Sequence, residues 1–272
     1  MRWRQTLLSA VTVMAAACGP DASGAVALPP VTGSFDYQLG GSYDMIGLAI
    51  VVRDESSAPL AGAYNVCYLN GFQTQPGDGD DWLQQRGAAI LRDGDGVAVV
   101  DPDWPDEYVL DPSTPAQRKL ILDAVGPLVT SCAAKGFDAV ELDNFDTYLR
   151  FRDATTGHID ESGAMELARS YVSLAHAEGL AIGQKNAAEA TESGRRVVGF
   201  DFAVAEECSA FDECDQYRRA YGPQVLQIEY TDNMPLPFDA VCASPDRAPQ
   251  TILRDRDLVE RGAEGYAYQQ CP

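Results

Sequence analysis

Short apolar runs recur along this chain with helix-length intervals between many of them, and that alternation constrains its architecture more than any other feature. The runs are Phe35–Leu39, Leu48–Val52, Tyr64–Leu69, Phe137–Asp143, Leu180–Gln184, Phe200–Val204, Val225–Ile228 and Gly265–Tyr268. Thr114 is placed to cap a helix with Pro115 at its first position, a favoured start. Leu120, Ile121, Ala124, Val125 and Leu128 give that helix an apolar face, Gly126-Pro127 predicts a kink or a break, and Gly136 stops it. A second helix is predicted from Gly163 to Glu178, with Leu167, Tyr171 and Leu174 on one side and Gly179 as its stop. Alternation of this kind predicts an α/β fold, a single (β/α)8 TIM barrel with disulfides, with a doubly wound sheet as the alternative. The early runs are closely spaced, so the first βα units have room only for short or irregular helices. In a barrel the residues just after each strand share one mouth, which decides which polar residues matter.

The barrel is expected to span residues 34–272. Before it, residues 18–33 are small residues and prolines that read as a tether. Residues 1–17 read as a signal peptide. Arg2 and Arg4 form a basic start, and Leu7, Leu8, Val11, Val13 and Met14 form an apolar stretch too short to span a bilayer. Ala15-Ala16-Ala17-Cys18 resembles a lipobox with Ala15 where leucine is usual, so Cys18 is a lipidation candidate and simple cleavage near Ala17 or Ala27 is the alternative. Export to the cell envelope or beyond is the expectation, with membrane attachment only through Cys18. No later run is long and apolar enough to cross a membrane.

Charge narrows the partners. The chain holds 20 Lys+Arg against 41 Asp+Glu, a formal net charge of −21. Loss of Arg2 and Arg4 with the leader makes it more negative still. Such a field repels nucleic acid and anionic lipid and attracts a polycation. Apart from Cys18 the cysteines are Cys67, Cys132, Cys208, Cys214, Cys242 and Cys271. In an oxidising compartment they are expected to form three disulfides out of about 15 possible connectivities. Cys208 and Cys214 are near enough to close a small loop. Cys67 with Cys132 and Cys242 with Cys271 then follow by elimination. No C-x-x-C occurs, and His158 and His176 are far apart, so neither metal nor other cofactor is expected. The acidic turns Asp78–Asp81 and Asp93–Gly96 lack the spacing of a calcium loop. A monomer is expected.

Several predicted strands end in acids or amides. Asp143 closes the fourth, Gln184-Lys185-Asn186 the fifth, Glu206-Glu207 the sixth and Glu229-Tyr230 the seventh. Paired carboxylates at one mouth suit glycoside hydrolysis, where one attacks or positions water and the other protonates the leaving oxygen. Other nucleophile systems fit worse. There is no G-x-S-x-G elbow, neither histidine follows a strand, and no phosphate-binding glycine loop follows one.

From Ser34 to Cys271 the chain resembles the family 114 glycoside hydrolases, the endo-α-1,4-polygalactosaminidase-like barrels. The resemblance rests on Phe35–Gly40, Gly136–Asn144, Gly183–Asn186, Phe200–Cys208 and Ile228–Tyr230, in that order and spacing. It implies a retaining α-glycosidase acting by double displacement on α-linked galactosamine-containing polysaccharide, with no cofactor. Asp143 is then the nucleophile and Glu206 the general acid/base, although either carboxylate could take either role. Further substrate-contacting candidates are Asp36, Tyr37, Tyr68, Trp104, Asn144, Lys185, Asn186, Glu207, Glu229 and Tyr230. Asp138 and Asp201, early in their strands, read as structural. A non-catalytic carbohydrate-binding lipoprotein on the same barrel is the alternative.

Overall fold

The computed structural model of the chain describes residues 26–272. The predicted leader and Cys18 lie outside the described residues. Residues 26–33, assigned by sequence to the tether, lie against the barrel instead. Val26 packs on the interior cluster, the Ala27 carbonyl accepts from the Tyr64 hydroxyl at 2.7 Å, and the Gly33 carbonyl accepts from the Gln270 amide at 2.9 Å.

Eight parallel strands form most of a barrel: β1 (Ser34–Gln38), β2 (Leu48–Asp54), β3 (Tyr64–Asn70), β4 (Ala139–Asp143), β5 (Ala181–Lys185), β6 (Phe202–Glu206), β7 (Val225–Tyr230) and β8 (Gln250–Arg254). Each pairs with the next in sequence order, and β9 (Tyr268–Gln270) adds antiparallel to β8. Seven of the predicted runs are strands. The eighth prediction fails. Gln250–Arg254 is the eighth parallel strand, and the Gly265–Tyr268 run supplies only the start of β9. The true β8 carries just Ile252 and Leu253 as aliphatics and ends in a buried arginine, so apolar patterning alone does not mark it.

Alternation along the strands builds two layers. Phe35, Ile50, Val52, Val66, Ala139, Phe202, Val204, Leu226, Ile228 and Ile252 fill the barrel. Cys67, Leu69, Val140, Leu142, Ile182, Ala203 and Val225 face outward beneath the helices. Gly183 is needed on β5 because a Cβ there would sit 2.7 Å from the Phe202 ring.

The helices follow their local signals. Thr114 and Gln117 form a reciprocal capping box at the start of the Pro115–Lys135 helix, and Gly136 ends it in the left-handed conformation. The helix runs unbroken through Pro127, contrary to the predicted kink or break. Pro127 and Asp123 both lie on the solvent face, where water can satisfy the carbonyl that the proline leaves free. The next helix spans Glu161–Ala177 and is capped by Asp160, which accepts from the Gly163 amide at 3.0 Å. The connections β1–β2 and β2–β3 contain no helix. The β3–β4 connection carries a long excursion, Gly71–Ser113, whose bridges Gln73–Val109 and Ile90–Leu110 hold it together.

The seam between β1 and β8–β9 is closed by side chains rather than a ladder. Gln270 accepts from the Phe35 amide at 3.1 Å, Tyr268 donates to the Phe35 carbonyl at 2.8 Å, and Arg254 donates to the Tyr37 carbonyl. These contacts satisfy an edge that would otherwise be open. Asp138 and Asp201 bind the amides of Asn65 and Ile182 at the strand starts, so both are structural.

Disulfides join Cys67 to Cys132, Cys208 to Cys214 and Cys242 to Cys271, the expected pairing. Cys67–Cys132 ties β3 to the long helix across 65 residues. A crosslink of that span restricts the unfolded chain by about 4 kcal/mol. Replacing both cysteines with alanine is therefore expected to lower unfolding stability by up to about that amount, measured by denaturant titration. An unchanged midpoint would refute the expectation.

Candidate active site

The inward positions nearest the strand ends carry Tyr37, Tyr68, Asn70, Glu141, Asp143, Lys185, Glu206 and Tyr230. Register brings them level, with Asn70 opposite Asp143 and Glu206 opposite Ile228, two residues before Tyr230. Lys185 is their hub. Its ammonium lies 3.2 Å from Asp143 Oδ1, 3.2 Å from Glu206 Oε2 and 3.1 Å from Glu141 Oε1, and it donates to the Tyr37 hydroxyl at 3.1 Å. Two carboxylate oxygens sharing one ammonium can be no further apart than twice 3.2 Å. Lys185 and Glu141 are buried, whereas the Asp143 and Glu206 side chains keep 18% and 22% exposure, so only this pair is open to a ligand.

Hydrogen bonds hold each carboxylate in place. Asp143 accepts from the Tyr68 hydroxyl at 2.7 Å and from the Asn144 amide at 2.7 Å. Glu206 accepts from the Asn186 side chain at 3.0 Å and from the Tyr230 hydroxyl. Asn186 in turn accepts from the Glu206 amide at 2.9 Å, fixing both residues. Burial pushes the Asp143 carboxyl up, but Lys185, Tyr68 and the Asn144 amide outweigh it and hold the group below its usual range. Burial lifts the Glu141 carboxyl to about 7 despite the opposing pull of Lys185. Burial alone would lower the Lys185 pKa, but Asp143, Glu206 and the neighbouring groups raise it well above the ordinary range, so it stays charged. Burial, with the nearby carboxylates, keeps the Tyr37, Tyr68 and Tyr230 hydroxyls protonated as donors.

Non-glycine residues directly after three of these strands adopt positive φ: Asn144 (65°), Asn186 (49°) and Glu207 (57°). Backbone of that kind costs energy and persists where its surroundings enforce it. Here each turn aims a strand-end group at the mouth or locks one there.

The family model for glycoside-hydrolase family GH114 matches residues 16–272. The chain belongs to glycoside-hydrolase family GH114. It is a glycoside hydrolase. Among solved structures it is similar to Ega3 from Aspergillus fumigatus in complex with galactosamine. That match has a TM-score of 0.68 and 20% identity, covering 90% of this chain and 98% of the other. It is also similar to the glycoside hydrolase domain of PelA from Pseudomonas aeruginosa, with a TM-score of 0.56 and 14% identity, covering 85% of this chain and 96% of the other. Both support the barrel fold. No curated protein matches the chain in sequence.

Of the residues named from sequence, the GH114 chain brings together Asp143, Glu206, Tyr37, Tyr68, Asn144, Lys185, Asn186 and Tyr230. Tyr37 is fully buried beneath the pair and supports Lys185 rather than facing the mouth. Two others need correction as substrate contacts. Asp36 is fully buried at the seam, where Arg254, Tyr43, Gln38 and the Tyr37 amide occupy its carboxylate. Glu229 is fully buried and points outward from β7, accepting from the Ser209 amide at 2.9 Å, because Leu226, Ile228 and Tyr230 take the inward positions. Trp104 is 55% exposed on the excursion. Glu207 reaches the cleft beside Glu206 but is paired with Arg256 at 2.6 Å.

Sequence reasoning missed Glu141, Asn70, Glu107 and Arg254. Period two marks the first, since Glu141 must share the face of Asp143. Asn70 donates to Glu107 at 2.7 Å and accepts from Asn144 at 3.0 Å, linking the excursion to the mouth. Burial lifts Glu107 to about 7 against the bond from Asn70. Only tertiary structure shows this link. Cys208, Cys214 and Glu229 cluster closely among the described residues, but both sulfurs are in a disulfide, so the group offers no metal donor set.

Proposed function

We propose that this GH114 chain is an exported retaining glycosidase that cleaves α-linked galactosamine-containing polysaccharide. Asp143 is the nucleophile and Glu206 the general acid/base. The observation that carries the reading is the sharing of Lys185 by the two carboxylates at 3.2 Å each. The two oxygens that share Lys185 can stand no further apart than twice that distance, which favours a retaining pair over an inverting one, whose carboxyls stand roughly 6.5–9.5 Å apart to leave room for a water. The galactosamine bound to Ega3 supports the choice of sugar. Three disulfides suit an oxidising destination.

In the first step an Asp143 oxygen bonds to the anomeric carbon as the glycosidic C–O bond breaks. Glu206 gives its proton to the departing oxygen. In the second step Glu206 takes a proton from water, whose oxygen bonds to the anomeric carbon and releases Asp143. Lys185 serves both steps. It stabilises the Asp143 carboxylate before attack. Once Asp143 is esterified, the same ammonium still lies 3.2 Å from Glu206 and holds its carboxyl in place for the second step.

The test is release of reducing ends from de-N-acetylated galactosaminan, wild type beside Asp143→Asn. Release by wild type alone supports the reading. Release by neither, with activity on another α-linked polymer, would overturn the sugar assignment. The net charge of −21 also makes substrate capture salt-dependent if the polymer is cationic. KM for such a polymer is expected to rise several-fold, roughly, between low and physiological ionic strength. A KM that does not move with salt would remove electrostatic capture from the account.

A further inference from the structure

Beside Glu206 the mouth opens into a cleft of about 360 Å³ lined by Asn186, Glu206 and Phe211, together with Asp146, Leu149 and Arg150. If Glu206 protonates the leaving oxygen, as proposed above, this cleft lies on the leaving-group side. Phe211 is 63% exposed there. Its exposure is not that of a loose loop. The Cys208–Cys214 disulfide closes the segment at both ends, Phe211 donates its amide to the Glu207 carbonyl at 3.1 Å, and Glu213 donates to the Cys208 carbonyl at 2.9 Å. Ser209 is anchored to the buried Glu229 at 2.9 Å. The chain thus holds a large apolar ring rigidly in water at the edge of the catalytic cleft, and ring burial is favourable wherever an apolar partner arrives.

A hexopyranose supplies that partner. One face of an α-linked galactose-type ring is a patch of C–H groups that packs on an aromatic ring. An amine on the same sugar is attracted to the ring's negative face. We propose that Phe211 is the platform on which the leaving-group sugar of the polysaccharide stacks, the first subsite beyond the scissile bond. The assignment rests on the glycosidase reading of Asp143 and Glu206. The disulfide loop is then a positioning device, and the outward-facing Glu229 is its internal anchor.

The experiment compares Phe211→Ala, Phe211→Trp and wild type on two substrates. One is de-N-acetylated galactosaminan, which places a sugar on the platform. The other is an α-linked galactosamine oligosaccharyl fluoride, whose leaving group has no ring. Phe211→Ala is expected to lose roughly tenfold in kcat/KM on the polymer while staying within about twofold of wild type on the fluoride. Phe211→Trp is expected to retain most polymer activity. Equal loss on both substrates would mean that Phe211 acts through the loop or Glu206, and would overturn the platform. No loss on either would overturn it as well. A wild-type chain that turns over neither substrate would overturn the galactosamine-polymer reading proposed above, and with it the platform that rests on it.

Discussion

Asp143→Asn and Glu206→Gln are each expected to reduce polysaccharide turnover by about four orders of magnitude while leaving the fold intact. Every favourable 1.36 kcal/mol in the transition state is about tenfold in rate, and these groups make and break covalent bonds to the substrate or its oxygen. Neither change empties the centre of the barrel. In Asp143→Asn the Lys185 ammonium keeps Glu206 and Glu141, and in Glu206→Gln it keeps Asp143 and Glu141. Near-wild-type melting with lost activity is therefore the expected pair of results. The stereochemistry of the first-formed product, followed by NMR, checks the mechanism separately. A product of retained α configuration agrees with the close pair, and an inverted one would sink double displacement. Substantial activity in either variant would remove that residue from the chemistry.

Lys185→Met is expected to have the second largest effect, on stability and activity together. It leaves Glu141, Asp143 and Glu206 facing one another in a buried site with no cation. Breaking a buried ion cluster from one side typically costs about 3–5 kcal/mol. The pH dependence gives the decisive readout. Asp143 is held below its ordinary value in the fold, so its contribution to stability is present above the ordinary 3.8 and is lost as pH falls through the folded value. Glu141 has the opposite sign. Raised from 4.5 to about 7, it favours the fold when protonated, and that advantage is lost as pH rises between those values. Without Lys185 both carboxyls move up. The stability gap between variant and wild type should then be widest above about pH 7 and narrow toward pH 5. Removing a neighbouring opposite charge returns roughly one to three pK units. The acid limb of kcat/KM, which needs ionised Asp143, is expected to move upward by that amount. Equal stability at pH 8 would contradict this electrostatic account.

Much of the site was legible because strand geometry is periodic. Asp143, Lys185 and Glu206 each close a strand that apolar content and a following turn mark out, and the barrel rule sends strand ends to one mouth. The same periodicity, applied strictly, separates Tyr230 from Glu229 and joins Glu141 to Asp143. Strand ends read without their faces admit Glu229 as a substrate contact, although it points away from the mouth. Asp36 looks equally available in sequence. Its capture by Arg254 follows from β8, a strand too short and too polar to stand out, meeting β1 across more than two hundred residues.

Seven of the eight barrel strands, the helix cap at Thr114, the cysteine pairing and the carboxylates at the strand ends were legible in the sequence. These depend on local chemistry: which residues alternate, which cap and which end a run. Only the assembled barrel sets Lys185 between Asp143 and Glu206 and closes the seam with Arg254, Tyr268 and Gln270. Those contacts join residues distant in the chain, and their energies come from burial and charge neutralisation that exist only once the barrel has formed.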